Sequence, residues 1–156
     1  MTTPVFCVPV SPQDLTALVP NYATYFNPIW YVNAIGATLN TPTAVSPTQT
    51  TTYFVIVENE FACTDTAQII LNVDNPQTPD ILPSVTLGCS SATVDLANYE
   101  STLSNAAYSF EWHSENNTDI ASLLTNTVVG VGTYYLFETT ANNCVSASDM
   151  LEVQAL

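Results

Sequence analysis

The stretch Thr133-Tyr134-Tyr135-Leu136-Phe137 is built from β-branched and aromatic residues, a composition typical of a central β-strand. Its counterpart in the first half of the chain is the run from Thr51 to Val57, which contains the aromatic pair Tyr53-Phe54. In each half the aromatic pair precedes a cysteine by ten and nine residues, Cys63 in the first half and Cys144 in the second. These stretches therefore indicate one β fold that occurs twice.

The duplication extends toward the start of each half. Trp30 follows Cys7 by 23 residues, and Trp112 follows Cys89 by the same number. The halves superpose with an offset of 82 positions up to the tryptophans and 81 after them. Self-similarity over so many framework residues is the sequence signature of a tandem repeat.

The boundary between the copies is expected in a polar stretch that contains Pro76 and Pro79, which restrict the backbone of a linker. We predict domain 1 over residues 1–74, a proline-containing linker over 75–80 and domain 2 over 81–156. Short strands separated by Asn, Pro, Thr and Ser loops predict an all-β chain. The expected fold is two tandem immunoglobulin-like β-sandwich domains of seven strands each.

Four aromatic residues are predicted to anchor the cores, because their spacing from the cysteines is the same in both copies. They are Trp30, Trp112, Tyr53 and Tyr134. In the second copy Tyr108, Phe110 and Trp112 alternate with polar residues, which places them on the inner face of a strand. The same alternation predicts that His113, the one histidine, is solvated on the outer face.

Near-equal spacing also predicts one disulfide within each copy, Cys7–Cys63 and Cys89–Cys144. A zinc site is disfavoured because no two cysteines have the Cys-x₂-Cys spacing of zinc ligands. Disulfides in turn indicate an oxidising compartment.

The chain carries no Lys or Arg and 14 acidic residues, a formal net charge of -14. Nucleic-acid binding is excluded, since it depends on cationic side chains that neutralise phosphates. The sequence contains no run of about 18 apolar residues, so no transmembrane helix is expected. The sequence shows no nucleophile–base pair, metal cluster or phosphate loop, so we expect no enzymatic activity.

No cofactor is expected apart from calcium, for which acidic oxygen ligands are suited. The candidate ligands are Asp74 and Asp80 beside the linker, with Glu111, Glu115 and Asp119 near one loop of the second copy. A solvated acidic surface is the alternative interpretation of the same residues. Two short patterns predict glycosylation, at Asn116 within Asn116-Asn117-Thr118 and at Thr66 within Asp65-Thr66-Ala67.

The framework resembles the Ig-like repeats of very large secreted surface proteins of Bacteroidetes-type bacteria, such as gliding adhesins and other type IX secretion cargo. The resemblance is carried by Trp30-Tyr31 with the Thr48–Val55 stretch, by Phe110-Glu111-Trp112-His113, and by Gly132–Glu138 ahead of Asn142-Asn143-Cys144. It implies an extracellular or cell-surface location and no catalytic residues.

The expected function is a structural repeat module of a bacterial adhesin or filament, a spacer or stalk able to assemble head to tail with neighbouring copies. The alternative is a binding module that recognises glycan or protein through loops or exposed aromatic residues. Tyr22, Tyr25 and Tyr31 are the candidates for such an aromatic surface.

Overall fold

The computed structural model describes residues 4–89 and 92–156 and divides the chain into two compact units, Met1–Asp74 and Asn75–Leu156. The described regular structure is nearly all β, with three short 3₁₀ helices. The all-β prediction is confirmed at this level, and independent folding of the two predicted domains stays a prediction. No helix in the described part of the chain is long and apolar enough to cross a membrane.

Unit 1 contains one four-stranded sheet with the order β1-β4-β3-β2. Its strands are β1 (Val5–Cys7), β2 (Phe26–Val32), β3 (Thr51–Glu58) and β4 (Thr64–Asp74). Strand β1 pairs in parallel with the end of β4, while β2, β3 and β4 pair antiparallel. The first and last strands of the unit are therefore direct neighbours.

The core of unit 1 lies on one face of this sheet. Strand β3 alternates strictly between buried and half-buried side chains, so that Tyr53, Val55 and Val57 point inward. Trp30 from β2 and Leu71 from β4 join the same cluster. Because side chains alternate between the two faces of a strand, every second residue of this β-branched and aromatic run faces the core.

Unit 2 has the same main sheet, with the order β5-β10-β9-β7, and a two-stranded sheet β6-β8. The strands are β5 (Ser84–Thr86), β6 (Val94–Asp95), β7 (Ser109–His113), β8 (Val128–Val129), β9 (Gly132–Thr139) and β10 (Asp149–Gln154). Strand β5 is parallel to β10, as β1 is to β4. The topology of unit 1 is thereby repeated.

The prediction of seven strands per copy is wrong, because the described residues form four strands in unit 1 and six in unit 2. Unit 1 has only an isolated bridge, Gln13↔Val45, where unit 2 has the Val94↔Val129 pairing of β6 with β8. Proline lacks the N–H that a ladder needs. Prolines are frequent around this bridge in unit 1 and absent from the second half beyond Pro83, which accounts for the difference.

A short helix packs on the core at the same place in each unit. Leu15–Leu18 and Leu96–Tyr99 are 3₁₀ helices, and each begins with a fully buried leucine. Asp14 and Asp95 cap them by accepting from the backbone N–H two residues later, at 2.9 and 3.1 Å. The repeated Asp-Leu pair is thus a further shared feature of the two units, although its copies lie 81 positions apart, one fewer than the cysteines and tryptophans around it.

Candidate functional site

The two cysteines of unit 1 lie at opposite ends of strand β4. Cys7 ends β1 and is opposite Asp74, the last residue of β4, whereas Cys63 directly precedes Thr64, the first. A strand rises about 3.3 Å per residue, so the length of β4 separates them by about 30 Å. Bridged cysteines have Cα atoms within about 7 Å. The predicted bridge Cys7–Cys63 is therefore wrong.

Unit 2 separates its cysteines in the same way. Cys89 lies beyond Thr86, which is opposite Gln154 at the end of β10, whereas Cys144 precedes Asp149 at the start of β10. The predicted bridge Cys89–Cys144 is wrong for the same geometric reason. Cys7 and Cys144 are disulfide-bonded, while Cys63 and Cys89 are exposed free thiols.

The cysteine-bearing turn has one conformation in both units. In unit 1 Asn59 N–H donates to the Cys63 carbonyl at 3.0 Å, and the Asn59 side chain accepts from the N–H of Phe61 and Cys63. The residue before the cysteine, Ala62, has a left-handed φ of 59°. The turn therefore holds Cys63 in a defined position at the end of the sheet.

In unit 2 Thr140 takes the place of Asn59. Its N–H donates to the Cys144 carbonyl at 2.9 Å, and its hydroxyl accepts from the N–H of Asn142 and Cys144. Asn143 has the same φ of 59° as Ala62. Cys144 is nevertheless buried, whereas Cys63 is exposed.

Apolar side chains lie near each free thiol. Phe61, two residues from Cys63, is 77% exposed, and Phe26, opposite Glu58 on the neighbouring strand, is 53% exposed. Cys89 lines a shallow, mainly apolar concavity of about 400 Å³. Its lining is Leu87, Gly88, Cys89, Ala92, Val131, Ala155 and Leu156.

The parallel pairing of first and last strands is the other feature shared by both units. In unit 1 Val8 N–H extends the ladder by donating to the Asp74 carbonyl at 3.3 Å. In unit 2 Leu87 N–H donates to the Gln154 carbonyl at 2.9 Å, and Glu152 N–H donates to the Pro83 carbonyl at 3.0 Å. Each unit thus begins and ends in adjacent strands that run in the same direction.

The structure places the predicted core anchors inside the units. Trp30 and Trp112 are each 3% exposed, Tyr53 is buried and Tyr134 is half-buried against the core. Burial raises the pKa of the Tyr53 phenol. The indole N–H groups find different partners, the Tyr22 hydroxyl at 3.0 Å for Trp30 and Glu100 Oε1 at 3.1 Å for Trp112.

The three tyrosines proposed as a sticky surface are all half-buried. Tyr22 and Tyr25 pack against the core of unit 1, and Tyr22 lies with its ring centroid 6.0 Å from that of Trp30. Tyr31 sits within strand β2. Phe26 and Phe61 are more exposed, although neither was among the predicted surface aromatic residues.

The expectation that His113 is solvated is wrong, because it is buried. The chain after β7 folds back, with Ser114 N–H donating to the Ser122 carbonyl, and covers the outer face of the strand. His113 Nδ1 lies 2.9 Å from Ser122 Oγ, and its ring meets Phe137 edge-on at 5.2 Å. Nε2 has no hydrogen-bond partner among the described residues and lies 3.8 Å from Glu111 Oε2.

A second polar residue, Glu138, is also buried, where the repeat gives unit 1 Val57. Its carboxylate accepts from the backbone N–H of Gln77, and from both the backbone N–H and the hydroxyl of Ser104. Glu138 and Phe110 line a polar concavity of about 450 Å³ in unit 2. The protein donors use much of the acceptor capacity of this carboxylate, so its role is to hold two backbone segments together.

The calcium candidates do not assemble into a site. The described residues contain no group of three or more His, Cys, Asp or Glu side chains placed to hold a metal ion. Glu115 instead accepts from the Asn117 amide, and the Asn117 side chain accepts from Asp119 N–H. Asp74 ends β4 and Asp80 borders the polar concavity, while Glu111 lies in β7.

Both glycosylation candidates are exposed. Thr66 lies in β4, and the Asn116 amide oxygen accepts from the Ser148 hydroxyl at 2.7 Å. Modification of either residue stays a prediction.

No family model matches the chain, and no curated protein does. Solved structures that resemble it include a mixed-linkage glucan utilization locus protein of Bacteroides ovatus, SGBP-B, in complex with a heptasaccharide, at 13% identity and a TM-score of 0.36. Extracellular domains 3–5 of Drosophila OTK match at 14% sequence identity, with a TM-score of 0.40. The Ig1-2 module of the Drosophila receptor protein tyrosine phosphatase DLAR matches at 13% sequence identity, with a TM-score of 0.31.

The matched portions differ in extent. The alignments cover 99%, 99% and 83% of this chain, in the same order. They span 43% of the Bacteroides protein, 59% of the OTK fragment and 83% of the DLAR module. These likenesses assign no family and no ligand to the chain.

Proposed function

We propose that this chain is a structural repeat module of an extracellular bacterial surface adhesin or filament, a spacer or stalk segment that joins neighbouring copies head to tail. The observation that carries the proposal is the parallel pairing of the first and last strands in each unit. The disulfide-bonded state of Cys7 and Cys144 supports an oxidising, extracellular setting. The bacterial surface location comes from the framework resemblance.

A parallel pair of end strands suits a segment that transmits tension. When the two ends of a unit are pulled apart, adjacent parallel strands slide along each other, and their ladder bonds are loaded together rather than one by one. In unit 2 this ladder spans Ser84↔Glu152 to Thr86↔Gln154 and is extended by the Leu87 bond. Cohesion comes from these bonds and from apolar burial, because the chain has no Lys or Arg for salt bridges.

Single-molecule force spectroscopy tests the proposal on the whole chain, pulled through its two ends with the disulfide reduced so that tension follows the backbone. We expect two unfolding events, one per unit, each at high force. The register makes Val85 N–H a ladder donor, whereas Thr86 N–H faces away from β10. Val85→Pro should therefore lower the unfolding force of unit 2 more than Thr86→Pro does.

Val85 also contacts the core, so Val85→Ala serves as the control for lost packing. If the ladder bears the tension, unit 2 of the Val85→Ala and Thr86→Pro variants should unfold at nearly the same force as in the wild-type chain. Wild-type units that unfold at low force, or three variants with equal forces, would contradict it.

A binding module is the second candidate function, and the exposed pair Phe26 and Phe61 favours it. Exposed aromatic side chains supply the contact area on which protein and glycan recognition depends. Titration of the chain with glycans on an array, beside the double variant Phe26→Ser/Phe61→Ser, distinguishes this function. Specific glycan binding that the variant loses would support it.

A further inference from the structure

We infer that Cys63 and Cys89 are covalent linkage points, and that Cys63 of one copy forms a disulfide with Cys89 of a second copy of the same repeat. The inference deepens the proposed head-to-tail function and rests on it. It specifies the covalent bond that would join two copies, which does not follow from the strand topology alone.

The first argument is the equivalence of positions. Cys63 corresponds to Cys144, in the turn before the last strand. Cys89 corresponds to Cys7 in the sequence repeat, and both lie at the end of the first strand, Cys7 as the last residue of β1 and Cys89 three residues beyond β5. Cysteines at both kinds of position are already oxidised in this chain, since Cys7 and Cys144 are disulfide-bonded. The chain is left with one free thiol of each kind, which is the set that successive copies need to join in one direction.

The second argument is that neither free thiol has a partner within its own unit. Each unit keeps its two cysteines at opposite ends of its last strand, and a disulfide spans only about 7 Å between Cα atoms. Both free thiols are exposed and accessible to a partner. Cys63 is moreover presented by the same turn that presents the bonded Cys144, with matching hydrogen bonds and the same left-handed residue.

The third argument is the apolar surface beside each thiol. Phe61 and Phe26 project near Cys63, while the concavity at Cys89 is lined by Leu87, Val131 and Leu156. Val131 and Leu156 are themselves largely exposed. In a chain with no cationic side chain, two surfaces of this type associate through apolar contact rather than ion pairing. The occupant that fits is a second copy, whose Phe61 turn enters the Cys89 concavity.

The bond forms by thiol–disulfide exchange with a small-molecule disulfide such as oxidised glutathione. The thiolate of one cysteine attacks that disulfide, which gives a mixed disulfide and releases one small thiol. The thiolate of the second copy then displaces the other small thiol. Two protein thiols are oxidised to one disulfide, the small disulfide is reduced to two thiols, and the two protein protons pass to the released thiolates.

The test uses the whole chain in a glutathione redox buffer, with products separated on a non-reducing gel. Wild-type protein should form a ladder of multimers that reductant collapses. Cys63→Ser and Cys89→Ser should each remain monomeric alone and form only a dimer when mixed. Mass mapping with a chymotrypsin-like protease should find Cys63 joined to Cys89 in that dimer.

A wild-type chain that stays monomeric would overturn the inference, as would a mixture in which Cys63–Cys63 and Cys89–Cys89 pairs are as abundant as Cys63–Cys89. Phe61→Ser should reduce multimer formation, whereas Ile120→Ser, at a side chain that is 90% exposed in a loop of unit 2, should not. Equal effects of these two variants would argue against docking of the Phe61 turn. The force measurement on reduced monomers is independent of linkage, so its failure identifies a failure of the stalk function itself.

Discussion

The cysteine-bearing turns of the two units have the same backbone structure, but their cysteines differ in redox state. Residues 59–63 and 140–144 share their backbone hydrogen bonds and a left-handed fourth residue, yet Cys63 is a free exposed thiol and Cys144 is buried and oxidised. The local turn therefore presents a cysteine without deciding its redox state. That state depends on whether a second thiol is brought to the turn, which the fold of a single unit does not do.

The strongest test of the duplicated cores is the removal of the tryptophans. Trp30→Ala and Trp112→Ala should each destabilise their own unit by about 3–5 kcal/mol, as large-to-small core substitutions do. Chemical denaturation followed by tyrosine and residual tryptophan fluorescence should show one transition shifted and the other in place. A shift of both transitions by either variant would indicate that the two units unfold as one.

Glu138 sharpens the comparison, because its counterpart in unit 1 is the buried, apolar Val57. Glu138→Gln should destabilise unit 2 by about 1.5–3 kcal/mol, since an amide presents donors where the carboxylate accepted from Gln77 and Ser104. Glu152→Gln, at an exposed position, is the control and should change little. Equal melting temperatures for the two variants would show that the Glu138 contacts contribute no stability.

The left-handed residues of the two turns predict a smaller effect. Ala62 has a φ that favours glycine or asparagine, and unit 2 has Asn143 at this position. Ala62→Asn should stabilise unit 1 by about 1 kcal/mol, the order of the cost of a left-handed alanine. The reciprocal Asn143→Ala should destabilise unit 2, and urea denaturation of both variants checks the pair. Destabilisation by Ala62→Asn would contradict the shared turn geometry.

The capping aspartates should give the smallest effect, and it should be lost in acid. Hydrogen bonds from Thr16 and Thr127 lower the pKa of Asp14 and of Asp95 respectively. A lowered pKa means stability that is complete above the unfolded value of about 3.9 and is lost as pH falls through the folded pKa. Asp95→Ala should therefore lower the melting temperature of unit 2 at pH 7 and have less effect at pH 2. An effect of equal size at both pH values would contradict the role of the charged cap.

Much of this fold could be predicted from sequence because it depends on local periodicity. The alternation around Trp112 and the Thr-aromatic runs reveal strands and the positions of both tryptophans. The Asp-Leu pairs at 14–15 and 95–96 are a further local signal, since each marks the start of a capped 3₁₀ helix.

The errors have a different origin, since each depends on contacts between residues distant along the chain. Cysteine spacing cannot show that the first strand runs parallel to the last, which moves Cys7 to the far end of β4 from Cys63. Strand alternation cannot show that the segment after β7 folds back over His113. Both outcomes follow from strand order and loop placement, which a period of two residues does not encode.

The central claim is that parallel end strands keep the two cysteines of each unit apart, and thiol mapping of the whole chain tests it most directly. The monomeric protein, kept out of any redox buffer, is alkylated without reductant, digested with a chymotrypsin-like protease and analysed by mass spectrometry. We predict that Cys63 and Cys89 carry the alkyl group while Cys7 and Cys144 do not. Peptides joined as Cys7–Cys63 and Cys89–Cys144, with no alkylated cysteine, would contradict the account.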